Sequence, residues 1–123
     1  MRIIRFILGR IILFLDWATS PKPLSISQDE KIKIDAITSN MEIYEFRACP
    51  FCVRVRRFMK KNNISILTKD ARKNKEYADE LINGGGKLQV PCLYIKKEGD
   101  NPKWLYESKD IIIFLSKELG VKP

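Results

Sequence analysis

Tyr44-Glu45-Phe46-Arg47-Ala48-Cys49-Pro50-Phe51-Cys52 is the stretch on which the reading of this chain turns. It begins inside residues 41–46, where apolar and polar residues alternate as in a half-buried strand. A helix is predicted from about Cys52, with Cys52, Val55, Phe58 and Met59 at helical spacing and basic residues between them. Cys49 therefore falls just before a helix, where unpaired backbone N–H groups and the helix dipole favour an anion. Pro50 suits the first helical turn because its missing N–H would have had no partner there. Cys52, one turn further in, is expected to be more buried and to keep its proton. That asymmetry makes Cys49 the nucleophile and Cys52 the resolving thiol.

The same C-x-x-C spacing also fits half a zinc site or two ordinary buried cysteines. Zinc takes four ligands, and the chain offers only one further cysteine, Cys92, and no histidine. No metal is expected. The lack of histidine also removes Ser–His and Cys–His nucleophile pairs. Three cysteines in 123 residues do not make a disulfide-stapled secreted scaffold. Cys92 reads as a small core residue rather than a third redox thiol.

Downstream, residues 64–69 alternate as a strand, and residues 75–82 form a helical pattern stopped by Asn83-Gly84-Gly85-Gly86. Residues 90–96 read as a strand. Glu98-Gly99-Asp100-Asn101 then turns the chain into a hairpin partner at residues 104–106. Ser108 is expected to cap a last helix, residues 109–119, ended by Gly120. The order β-α-β-α-β-β-α gives an α/β fold with a four-stranded mixed sheet flanked by helices.

The chain carries 23 Lys and Arg against 15 Asp and Glu, a net charge of +8, which points to an anionic partner. Arg47, Arg54, Arg56, Arg57, Lys60 and Lys61 form a basic run without an acidic residue. Arg56, Arg57 and Lys60 read as a solvated helix face, and Arg47 as a group for thiolate stabilisation or anion capture. The run lacks interleaved aromatics and any nucleic-acid-binding motif, so no nucleic acid is expected.

Taken with Val90-Pro91 and with Leu105-Tyr106-Glu107-Ser108 before a helix, the opening stretch resembles the glutaredoxin family. It is particularly similar to the glutaredoxin-type amino-terminal domain of glutathione transferases. The resemblance covers residues 41–119 and implies a thioredoxin-like fold in which Pro91 is a cis-proline facing the cysteines. It also implies glutathione as cosubstrate. Val90 would pair with its cysteinyl part, Glu107 and Ser108 would hold its γ-glutamyl end, and Arg47 and Phe51 would complete the site. The implied activity is reduction of glutathionylated or disulfide-containing proteins. A glutathione transferase or isomerase, and an iron–sulfur cluster carrier using Cys49 and glutathione, are the alternatives. Departures from the common pattern fall at Phe46, at Gln89, and at Tyr106-Glu107, where glutaredoxins have a Gly-Gly pair.

Everything before residue 41 reads as an attachment to a domain spanning 41–123. Residues 1–17 carry only Arg2, Arg5, Arg10 and Asp16 among apolar side chains. Arg10 interrupts a secretory-type core, Pro21 follows the one cleavage candidate (Ala18-Thr19-Ser20), and the run is too short to span a bilayer. Arg2, Arg5, Gly9 and Asp16 fall on one helical stripe, with apolar residues over most of the rest. The expectation is an amphipathic helix on the cytoplasmic side of a membrane, the alternatives being a soluble cytoplasmic protein or a helix packed on the domain or on a second copy. Residues 18–40 read as a linker with a short helix capped by Ser27 and Glu30. A chain starting at Ser39 is expected to be soluble and active.

Overall fold

The structure is a computed structural model that describes residues 2–19, 22–23, 25–96 and 101–123. Its elements run α1 (Arg2–Ala18), α2 (Gln28–Thr38), β1 (Met41–Glu45), α3 (Pro50–Lys61), β2 (Leu67–Asp70), α4 (Lys75–Gly85), β3 (Cys92–Ile95), β4 (Lys103–Leu105) and α5 (Ser108–Leu119). The strands form one sheet in the order β2-β1-β3-β4. β1 lies parallel to β2 and antiparallel to β3, and β3 is antiparallel to β4. This is the mixed, helix-flanked thioredoxin-like arrangement expected. The hairpin turn expected at Glu98, Gly99 and Asp100 lies outside the described residues, as do Ser20 and Pro21.

Alternation sorts the core into two layers. Met41 and Ile43 of β1, with Leu93 and Ile95 of β3, pack on Val55, Phe58, Ile111 and Leu115 from α3 and α5. Tyr44 and Cys92 face the other way, onto Leu81 of α4, flanked by Trp104 and Tyr106. β1 is thus a central strand covered on both faces, and Tyr44 and Glu45 are both buried. The half-buried strand expected from its alternation is corrected: Glu42 and Glu45 are polar positions inside ion pairs, not a solvent face.

Three boundaries differ for local reasons. Helix α4 continues through Gly84 and Gly85 and ends at Gly86, which takes the left-handed conformation at φ +94°. Within the helix, Gly84 and Gly85 leave room for the Trp104 and Tyr106 rings, which lie where a Cβ would be. Helix α5 includes Ser108 as its first residue, so its cap is Glu107, not Ser108. Helix α3 starts at Pro50.

The segment expected as a linker belongs to the fold. Ser27 Oγ accepts from the Glu30 amide at 3.1 Å, as the capping pattern implies. The helix it starts then buries Ile34 in the main core, and Thr38 Oγ1 donates to the Ser65 carbonyl at 3.2 Å. Helix α1 meets the domain along Gly9, Ile12, Leu13 and Asp16, its half-buried positions. No described helix is long and apolar enough to cross a membrane.

Candidate active site

Topology gathers three loops at one end of the sheet. The β1–β3 ladder ends at Tyr44 opposite Cys92, so the segment leading to Cys49 and the Val90-Pro91 pair leave adjacent strand ends. Leu105 lies opposite Leu93, and the chain beyond it runs through Glu107 into α5. The Val90–Pro91 peptide is cis, and Pro91 is buried. Val90 is half-buried and lies beyond the last ladder pair. Gln89 Nε2 donates to Glu107 Oε1 at 3.3 Å, joining the second loop to the third.

Cys49 is the N-cap of α3, with Pro50 next in the first turn and no side-chain cap hydrogen bond. Its carbonyl accepts from the Val53 amide at 2.9 Å, closing the first helical turn. This half-exposed residue therefore sits at the helix start, where the first N–H groups have no partner within the helix. Cys52 is buried. Burial foremost, reinforced by the neighbouring Cys49, pushes its pKa up to about 12, so it holds its proton at neutral pH. Phe51 between them is exposed. All three cysteines are free thiols.

Cys92 is fully buried beside Tyr44 and Leu81, and burial pushes its thiol up to about 12 as well. It is a core residue, as its position suggested. Among the described residues no three His, Cys, Asp or Glu side chains form a metal-holding group.

Of the basic run, Arg56 and Arg57 are corrected from a solvated face to structural groups. Arg56 pairs with the carboxylate of the buried Glu45. Its second Nη donates to the Arg47 carbonyl at 2.6 Å, tying the cysteine loop to α3. Arg57 reaches the end of α1, pairing with Asp16 Oδ1 at 3.1 Å and donating to the Thr19 carbonyl at 2.8 Å. Arg47 itself is exposed. It lines a cleft of about 500 Å³ between α1 and α3, together with Leu13, Trp17 and Lys60. Glu107 is exposed, with φ at +66°, and Ser108 is buried. Sequence reasoning missed Arg56 as a positioning residue. The available signal was Glu45, a carboxylate at an inward position of a strand with an arginine in the following helix.

The fold and the C-x-x-C at a helix start, beside a cis-proline loop, define a thioredoxin-like thiol protein. The glutaredoxin family model matches residues 41–99, the part of the chain that carries the C-x-x-C and the cis-proline. The family is one of thiol–disulfide oxidoreductases. The chain is similar to a crystal structure of wheat glutaredoxin, at 20% identity over 75% of this chain and 96% of that one, with a TM-score of 0.49. It is also similar to oxidised glutaredoxin 2 from Chlamydomonas reinhardtii, at 20% identity over 79% of this chain and all of that one, with a TM-score of 0.44. No curated protein matches the chain.

Proposed function

We propose that the chain is a glutathione-dependent oxidoreductase that reduces glutathione mixed disulfides and protein disulfides, working on the cytoplasmic side of a membrane. The observation that carries this reading is the inequality of the two thiols: Cys49 at the helix start and half-exposed, Cys52 buried and protonated. The Cys49 thiolate attacks the glutathionyl sulfur of a mixed disulfide. The Cys49–glutathione bond forms, the substrate's S–S bond breaks, and the substrate sulfur leaves as a thiolate that takes up a proton. A second glutathione thiolate then attacks the glutathionyl sulfur on Cys49, releasing oxidised glutathione and restoring the Cys49 thiolate. On a protein disulfide, Cys52 gives up its proton and attacks Cys49 in the mixed disulfide, releasing the reduced substrate and leaving a Cys49–Cys52 disulfide.

Glutathione would lie across the three loops. The Val90 backbone beyond the ladder takes the cysteinyl part, and Glu107 and Ser108 take the γ-glutamyl amine and carboxylate. Arg47 and Phe51, both exposed and each two residues from Cys49, would flank the glycyl end. The cytoplasmic side is where reduced glutathione is available, and α1 is the attachment.

The test is turnover of a small glutathione mixed disulfide, coupled to glutathione and its reductase. Cys49→Ser should abolish it. Cys52→Ser should keep it and lose only reduction of protein disulfides. Full activity in Cys49→Ser would overturn the nucleophile assignment.

A further inference from the structure

Helix α1 turns Gly9, Ile12, Leu13 and Asp16 toward the domain. Gly9 approaches the cysteine loop so closely that a Cβ on it would lie 3.1 Å from the Ala48 Cβ, one residue before Cys49. Asp16, the one acidic residue of the helix, is held by Arg57. Outward, nine large apolar side chains stay exposed, from Ile3 at 73% through Phe6, Ile7 and Phe14 to Trp17 at 76%. A folded domain does not leave such a continuous apolar face to water without a partner for it.

The geometry points to an anionic lipid surface as that partner, with α1 lying in its plane and holding the Cys49 loop at the interface. The substrates are then mixed disulfides on membrane-borne proteins. This substrate class rests on the oxidoreductase reading above.

Charge selects the lipid over a second copy of the chain. Arg2, Arg5 and Arg10 are exposed, and Arg10 stands within the apolar face, 5.1 Å over the Phe6 ring. Two such faces packed together would bury Arg10 against its copy, with no carboxylate on either helix free to answer it. On a bilayer the same side chain reaches up to headgroup phosphates while its stem stays among acyl chains. Seventeen residues make a helix of roughly 26 Å, with a charge at its middle, which suits an in-plane position and not a span. Trp17 at its end suits the headgroup level. The close approach of Gly9 to Ala48 sets this helix directly against the cysteine loop.

The test uses the whole chain and sedimentation with vesicles of phosphatidylcholine alone or mixed with phosphatidylserine. Binding should need the anionic lipid. Ile7→Glu with Phe14→Glu should lower partitioning by roughly tenfold or more, since each removes an inserted side chain. Replacing Arg2 and Arg5 by Gln should cost roughly fivefold each on anionic vesicles. A glutathionylated peptide anchored to the vesicle by an acyl chain should be reduced faster than the same peptide free in solution. Ile7→Glu with Phe14→Glu should erase that advantage and leave the rate on the free peptide unchanged. A wild-type chain that stays in the supernatant, or that forms a dimer through α1 and ignores vesicles, overturns the lipid assignment. Equal rates on anchored and free peptide overturn the substrate class. Sedimentation requires no turnover, so a pelleted protein inactive on both peptides would overturn the redox reading and leave the docking intact.

Discussion

Glu107 shows how one residue can hold a backbone and a ligand to different standards. Its φ of +66° is a left-handed region that a residue with a Cβ occupies at a cost of about 1–3 kcal/mol. Glutaredoxins commonly have glycine here, so the departure visible in the sequence sits on a backbone position that favours glycine. The residue that bears this strain is the one assigned to the glutathione amine. Glu107→Gly should relieve the strain while lowering the entropy of folding by about 0.5–1 kcal/mol. Strain relief wins, and stability should stay level or rise by up to about 1 kcal/mol. The glutathione KM should rise in the same protein, because a charge-assisted hydrogen bond worth about 1.5–3 kcal/mol is lost. Thermal unfolding and glutathione titration of one variant check both. A fall in stability with an unchanged KM would assign Glu107 a purely structural role.

At the scale of elements, α4 illustrates what one-dimensional pattern can and cannot say. Asn83-Gly84-Gly85-Gly86 reads as a stop, yet the helix runs to Gly85, and Gly84 and Gly85 make room for Trp104 and Tyr106. Gly84→Ala should gain about 1 kcal/mol of helix propensity. It should lose more, because its Cβ would sit 2.7 Å from Trp104 Cη2 and overpacking costs about 1–3 kcal/mol. A net loss on denaturant unfolding is expected, and Trp104→Leu in the same chain should restore part of it. The glycine run could not reveal this, since the ring that needs the space comes 20 residues later. The C-x-x-C at a helix start was legible because local rules for the first helical turn decide it. The succession of strands and helices along the chain was legible from alternation and turns. The Arg56–Glu45 pair was not, because which polar residue of a strand faces a helix depends on what covers each side of the sheet. β1 is covered on both.

The whole molecule divides at a different point from the one its composition suggests. The change from apolar to mixed sequence near residue 17 and the proline-rich stretch after it point to a domain beginning at residue 41. Packing places the division before α2. Ile34 lies in the main core, Ile26 packs against it, and Lys31 Nζ donates to the Asn63 carbonyl at 2.6 Å. Helix α1, by contrast, buries none of its residues fully and is held by the Arg57 contacts and the approach of Gly9 to Ala48. A chain beginning at Ser25 loses those contacts and the partial burial of Ile12 and Leu13. The Arg57–Asp16 pair is partly exposed, and such pairs are worth about 0–1 kcal/mol. This chain should fold with little change in stability, be more soluble than the full chain, and reduce a small glutathione mixed disulfide at the full rate. A chain beginning at Ser39 also removes Ile34, whose loss from the core costs about 2–5 kcal/mol by itself. It should therefore be markedly less stable, with activity limited by the folded fraction, in contrast to the fully active chain that the sequence alone leads one to expect. Urea unfolding of the two shortened chains beside the full one measures the difference. Equal stability of the Ser25 and Ser39 chains would show that α2 contributes nothing to the fold. A Ser25 chain that folds but has lost its rate would show that α1 supports the cysteine loop directly, through Gly9 and Ala48.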